Sequence, residues 1–325
     1  MSYTHLSRDD RICLSALLKE GLSYRQCAGN IGASATTIAN EVNGNGGRDH
    51  YQPRLAHRRS LERRREANQC HRKLGRDEEL TGTVLRLLAK DWSPQQVAGR
   101  MMLEWGFSLS SPTSIYNYVN PRKELHHLLP RKCNKYRRTK AGNLRKAFRE
   151  GLSVKKSIDI RPVSVDLREE MGHWEGDTIV GKERTARILT HVERVSGFLL
   201  ADLMKTVSSE MVSEVSVKSF KQIPRAKKLT ITYDNGTEFA DFEATEKQTK
   251  MSAYFAHTYQ SWERGTNENT NGLIRRYFPK GTYFGSIDSK QVKNVVTKIN
   301  HRPRKRLGYR TPYEVFRGVT VRTLI

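Results

Sequence analysis

Three carboxylates could act together in this chain: Asp177 inside the β-prone run HWEGDTIVG, Asp234 closing LTITYD, and Glu268 in the polar stretch that follows. Hard divalent cations take oxygen ligands, and magnesium is held by one or two carboxylates while it keeps waters and substrate phosphate oxygens. Three converging acids suit a pair of ions about 3.5–4 Å apart, one activating an attacking hydroxyl and the other stabilising a leaving oxygen. That is phosphoryl-transfer chemistry with Mg2+ or Mn2+. Glu263 competes with Glu268 for the third place, but at about 100° per residue the two point about 140° apart on one helix and cannot both face a site. Arg275, seven residues after Glu268, falls almost directly above it, with Asn271 between them on the same face. An arginine there could hold a phosphate beside the metals. Taken singly, each acid reads as an ordinary strand-end or surface carboxylate; their joint placement on one scaffold is what points to a site.

That scaffold is legible from residue 160 onward. Residues 173–181, 185–195 and 197–204 are short β-prone runs joined by tight turns, a three-stranded meander. A helix over 208–222, a buried strand at 229–234, a polar helix near 237–247 and a strand at 252–257 follow, then helices over 263–277 and 287–300. Three strands, helix, strand, helix, strand, helices is a mixed α/β order, that of the ribonuclease H-like, integrase-type catalytic core. In such a sheet the first and fourth strands are neighbours, which would bring Asp177 and Asp234 together. Trp174 and Trp262 flank the acids and read as packing residues that orient the strand and the helix.

The first half is all-α. Ser7 with Asp10 caps a helix whose apolar positions are Ile12, Leu14, Leu17 and Leu18, Ser23 caps a short second helix, and Gly32 breaks the chain before a third across residues 35–42. Helix, short helix, glycine turn, helix is the helix-turn-helix pattern. Its third helix would present Thr36, Thr37 and Asn40 outward, types able to read base edges, with Ile38 and Val42 facing the core. A second cluster repeats the arrangement: Leu80, Val84, Leu87 and Leu88, then Ser93-Pro94 opening a helix with Val97, Ala98 and Met101, then Ser111-Pro112 opening another with Ile115, Tyr116, Tyr118 and Val119. Two tandem helix-turn-helix units suggest a long, composite DNA site. Basic runs separate the parts, with Arg63, Arg64 and Arg65 in the first, a charged helix or linker, and Arg137 and Arg138 in the second, both read as phosphate-contacting. The expected division is a helix-turn-helix over 1–47, a basic linker over 48–78, a second helix-turn-helix over 79–121, a basic linker over 122–160, and the catalytic domain with its tail over 161–325.

Composition agrees. A net charge of +24 over 325 residues calls for a polyanionic partner, and nucleic acid is the first candidate. The four cysteines form no C-x-x-C pair, so reduced thiols in a cytosolic protein are expected rather than a disulfide framework or a zinc ribbon. His126, His127 and Cys133 lack the second pair that a zinc site needs. Neither a secretory leader nor a membrane span is expected.

The segments GHWEGDTIVGK, TYDNGTEFA and SWERGTNENTNGLIRRYFPKGT, with 33 residues between Asp234 and Glu268, closely resemble the DDE transposases of the insertion-sequence-30 family. The resemblance runs from the N-terminal helices to the tail HRPRKRLGYRTPYEVF. It implies that Asp177, Asp234 and Glu268 are the metal-binding triad and that Arg275 is the basic residue following the glutamate. It further implies nicking at terminal inverted repeats, strand transfer into target DNA by the freed 3′-hydroxyl, a dimer or larger assembly on double-stranded DNA, and residence in the bacterial cytoplasm with the nucleoid. Two departures stand out: His257-Thr258-Tyr259 replaces an Asp-Pro-Tyr-like run before the catalytic helix, and Ala39-Asn40-Glu41 replaces a Ser-Arg-Glu stretch. Two other functions use the same parts: a DNA-binding transcriptional regulator with an inactive ribonuclease H-like domain, and a nuclease acting on RNA–DNA hybrids, which leaves the paired helix-turn-helix units unexplained.

Overall fold

The computed structural model describes residues 5–70, 73–106, 110–130, 155–257 and 260–322. It divides into two compact units, Met1–Arg76 and Asp77–Ile325.

The first unit holds α1 (Arg8–Lys19), α2 (Tyr24–Ile31), α3 (Ala35–Asn43) and α4 (Pro53–Cys70). Ser7 and Asp10 form a reciprocal capping box on α1, Ser23 and Gln26 do the same for α2, and Ser34 caps α3 through the Thr37 amide. Gly32 ends α2 in the left-handed region at φ +74°, where a side chain would be strained. Leu14, Leu18, Cys27, Ala28, Ile38 and Val42 make the core. The expected apolar stripe of α1 needs one correction, because Ile12 is 47% exposed and the slot one residue earlier is filled by buried Arg11. Arg11 is tolerated there because Glu41 of α3 accepts from its Nε at 2.7 Å and its Nη2 at 3.2 Å. Of the charged helix or linker expected in the basic stretch over 48–78, the structure forms the helix. This 18-residue helix, α4, joins the first unit's core through Ala56, preceded by buried Tyr51. Ala56 packs inward while the described arginines of α4 stay exposed, because only one face of a charged helix has to pack.

The second unit opens with α5 (Glu78–Ala89), α6 (Pro94–Trp105) and α7 (Pro112–Val119), capped by Asp77, Ser93 and Ser111. Leu80, Val84, Leu87, Val97, Met101, Ile115 and Val119 are buried. After a short α8 (Ser164–Leu167) come β1 (His173–Val180), β2 (Arg187–Glu193), β3 (Leu199–Met204), α9 (Ser209–Phe220), β4 (Thr230–Tyr233), α10 (Phe242–Thr249), β5 (Ser252–Phe255), α11 (Gly265–Ile274), α12 (Ser289–Asn300) and α13 (Pro312–Arg317). The five strands form one mixed sheet in the order β3-β2-β1-β4-β5. The first three are antiparallel, whereas β4 runs parallel to both β1 and β5. Alternating side chains supply two cores. Trp174, Leu189, Ile231, Tyr233 and Phe255 pack with Phe220 and Phe316, while Ile179, Ile188, Val192 and Leu199 pack with Leu273, Ile274, Val292 and Ile299 of α11 and α12. Trp174 meets Phe220 edge-on at 5.0 Å and donates to the Lys227 carbonyl, the packing role expected of it. The side chain of Trp262, given the matching role on the helix side, lies outside the described residues.

The sequence sets the helical bundle α5–α7 apart as a domain of its own, but the bundle belongs to the same compact unit as the sheet. Arg100 of α6 is 0% exposed and forks onto Glu314 of α13 with two 2.7 Å bonds. It also donates to the carbonyls of Tyr309 and Val321. Gly99 permits this approach, since a Cβ there would meet the Tyr309 ring at 2.3 Å. No helix among the described residues is long and apolar enough to cross a membrane.

Candidate active site and DNA-binding surface

The last paired residues of the parallel β1–β4 ladder are Glu175 and Thr232, and Asp177 and Asp234 each lie two residues beyond them. Side chains two apart share a face, so the two acids emerge side by side where the strands separate. One cation joins them: Nη2 of Arg264 donates to Asp234 Oδ2 at 3.0 Å, and Nη1 lies 3.7 Å from Asp177 Oδ1 while donating to the Gly176 carbonyl. Asn271 Nδ2 holds the second oxygen of Asp177 at 2.8 Å. Burial raises the pKa of the Asp177 carboxyl to about 6; the guanidinium of Arg264 opposes this and the charge of Asp234 adds to it. Glu238 is a further acid at the rim, accepting from Thr178 Oγ1 at 2.9 Å and from Arg187 at 2.5 Å.

The side chain of Glu268 is exposed, and the described residues contain no cluster of three metal-ligating groups. Three carboxylates meeting without compensation repel one another; here the compensating charge is Arg264, and it serves two. The helix nevertheless lays the right stripe along β1. Arg264, Glu268, Asn271 and Arg275 recur at helical spacings of four, three and four residues. Arg264 binds Gly176 O, Asn271 binds Asp177, and Arg275 Nη2 donates to Val180 O at 2.8 Å, so Glu268 stands between groups that track β1. Burial lowers the pKa of the Arg275 guanidinium, and its buried Nη1 has no hydrogen-bond partner. Glu263 turns the other way, accepting from the His257 amide at 2.9 Å and meeting its Nδ1 at 2.8 Å.

In the first unit, Thr36, Thr37 and Asn40 of α3 and Arg63 and Arg64 of α4 line one groove of about 550 Å³. Base-reading types on one wall and cations on the other make a surface suited to a duplex. The side chain of Arg65 lies outside the described residues, as do Arg137, Arg138 and Cys133. His126 and His127 are engaged with the carbonyls of Asn120 and Glu124.

Residues 2–45 match the family described as a helix-turn-helix domain. Over 321 residues the chain is 35% identical to the transposase for insertion sequence element IS4351 of Bacteroides fragilis, covering 97% of this chain and 96% of that one. It is 32% identical to transposase InsI for IS30A of Escherichia coli, covering 98% and 85% of the two chains. The transposase for IS1086 of Cupriavidus metallidurans is 29% identical, covering 98% and 95%. The chain belongs to the insertion-sequence-30 family of transposases.

In this transposase α11 is anchored by residues that the sequence did not single out. Glu175 is fully buried on the same face of β1 as Asp177. Its Oε2 accepts from the Asn267 amide in the first turn of α11 at 2.8 Å, and its Oε1 from Arg194 at 2.5 Å. A carboxylate at a helix N-terminus is favoured by the dipole and by the unpaired amides. Thr190, opposite Asp177 in the β1–β2 register, donates to Asp177 O at 3.1 Å and lies 3.3 Å from Asn267 and Asn271. The one signal in the sequence is the placement of a second acid two residues before Asp177. Gly176 between the two has no room for a side chain, as a Cβ would lie 2.3 Å from the Tyr233 ring.

Proposed function

We propose that the chain is a DDE-type DNA transposase with a ribonuclease H-like core, which binds the terminal inverted repeats of its element and carries out strand nicking and strand transfer. The observation that carries this reading is the pair Asp177 and Asp234, emerging from adjacent parallel strands and already sharing one cation, with the stripe of α11 alongside. The strand order β3-β2-β1-β4-β5 supports the ribonuclease H-like assignment.

The donor set fits a hard divalent cation. Both groups are carboxylates, both lie within reach of a single guanidinium, and neither is committed to a buried structural pair. Asp177, Asp234 and Glu268 would hold a pair of Mg2+ or Mn2+ ions, with Glu268 supplied from the exposed face of α11. When bound, such ions supply activation of the attacking hydroxyl and stabilisation of the leaving oxygen. The chain's own groups do the rest. Asn271 fixes the orientation of Asp177. Arg264 must give up at least one carboxylate, which frees a guanidinium beside the scissile phosphate. Arg275, with an unpartnered Nη1, offers a donor to a phosphate oxygen at the far end of the stripe. The groove between α3 and α4 takes the DNA, a homodimer or larger assembly pairs the two ends, and the work is done in the cytoplasm.

The test is incubation with inverted-repeat duplex and Mg2+, comparing wild type with Asp234→Asn and Glu268→Gln. Loss of nicking in both variants, with DNA binding retained, is the expected result. Equal nicking by Asp234→Asn and the wild type would remove the mechanism, because asparagine keeps the shape and loses the ligand charge.

A further inference from the structure

A second concentration of positive charge lies where the chain leaves α11 and α12. Arg276 follows the end of α11, and Arg302 and Arg304 lie in the segment after α12. Arg302 is only 5% exposed, yet its Nε donates to an amide oxygen, Gln96 Oε1, at 2.8 Å, and Arg304 Nη2 reaches only the Ile299 carbonyl at 3.4 Å. Among the described residues none of the three arginines forms an ion pair. The nearby carboxylate, Asp91, is engaged by Tyr277 Oη at 2.9 Å and by Lys298 at 3.6 Å. Burial holds the pKa values of Arg302 and Arg304 down to about 10, helped by the charge of Arg276 at Arg302 and by those of Arg302, Arg306 and Arg276 at Arg304.

The surroundings add to the charge. Gln96 Oε1 also accepts from the Ser93 amide in the capping box of α6, so Arg302 sits against the positive end of that helix. Buried like charges beside a helix N-terminus are costly unless an anion joins them.

We propose that Arg276, Arg302 and Arg304, together with the N-terminus of α6, form a binding site for a backbone phosphate of DNA. A phosphate held there contacts the helical bundle and the segment leaving the catalytic helix at once. One strand is then gripped jointly by the bundle and by the sheet that carries Asp177 and Asp234. This inference rests on DNA being the substrate and is independent of the metal reading.

The experiment uses the full chain and Arg276→Gln, whose parent side chain is exposed, with Arg276→Lys as the charge-keeping control. Duplex binding is followed by fluorescence anisotropy across a salt series. Arg276→Gln should weaken binding several-fold and reduce the salt exponent by about one, while Arg276→Lys keeps the exponent. Inorganic phosphate, against chloride at matched ionic strength, should raise the Tm of the wild type more than that of Arg276→Gln. Without phosphate, Arg276→Gln should melt no lower than the wild type, because it relieves repulsion. Arg304→Gln should behave alike. An unchanged salt exponent in both glutamine variants overturns the proposal, and so does a lowered Tm with unchanged DNA affinity, which marks the arginines as structural. Phosphate stabilisation without any effect on duplex affinity overturns it as a DNA site.

Discussion

Replacing Arg100 with methionine should destabilise the second unit by about 3–5 kcal/mol, the usual cost of removing one partner from a buried ion pair. Arg100 is 0% and Glu314 1% exposed, and the two share a fork of 2.7 Å bonds. Methionine fills the space but leaves Glu314 buried without its cation. Glu314 itself gives an upper figure, because two backbone amides, as well as Arg100, hold its carboxylate. Burial alone would raise the pKa of its carboxyl, but bonds from Arg100 and from the amides of Thr311 and Val321 win and hold it at about 2, against an ordinary value of 4.5. That difference corresponds to about 3 kcal/mol of stability at neutral pH. Because the folded value is the lower one, this stability is fully present above the ordinary value and disappears as pH falls from about 4.5 toward 2. The assay is urea unfolding followed by tryptophan fluorescence. All four tryptophans, Trp92, Trp105, Trp174 and Trp262, lie in the second unit, so the signal reports that unit alone. Arg100→Met should lose its midpoint stability at pH 7 and differ less from the wild type as the pH approaches about 3. The double variant Arg100→Met/Glu314→Leu should recover part of the loss, less about 1 kcal/mol for the α13 cap that Glu314 completes. A loss below about 1 kcal/mol in the single variant would refute the claim that this pair fastens the bundle to the sheet.

Three further outcomes are expected. Asp177→Asn should raise the Tm at pH 7 while abolishing nicking: the folded carboxyl titrates near 6 against an ordinary 3.8, so its ionisation counts against the fold as pH rises through that window. An unchanged or lower Tm would contradict the burial argument. Arg264→Gln should bind Mn2+ several-fold more tightly than the wild type without DNA, measured by calorimetry, since the resident cation no longer competes for Asp177 and Asp234; equal affinities would show that the guanidinium does not occupy the ligand position. Asn40→Ala should lose about 1–3 kcal/mol of discrimination between terminal-repeat and random duplex, whereas Arg63→Ala should weaken both alike, as anisotropy would reveal.

The local features of this protein are legible in the order of its amino acids. Ser7, Ser23, Ser93 and Ser111 cap the helices that their positions predict, because a cap is decided within four residues. The strand runs around Asp177 and Asp234 and their adjacency also follow, since alternation and element order constrain a sheet strongly. Ile12 is misplaced by its pattern because a helical stripe gives a direction but does not say that Arg11, paired with Glu41, can take the buried slot. The charged helix or linker expected within 48–78 is a helix, and charge density, which describes the exposed face of α4, is silent about Ala56 on the other.

Sequence by itself therefore determined the helix-turn-helix at the start, the mixed sheet, and the acids that define the reading of its chemistry. Tertiary structure alone decided that Arg264 stands between two of those acids, that the Glu268 side chain is exposed, that Glu175 anchors α11, and that Arg100 reaches Glu314 across 214 positions of chain. The physical reason is one of range. Caps, turns and periodicity depend on neighbours a few residues away, whereas a buried charge finds its partner only after the backbone has closed, and the pairing leaves no mark in the residues on either side.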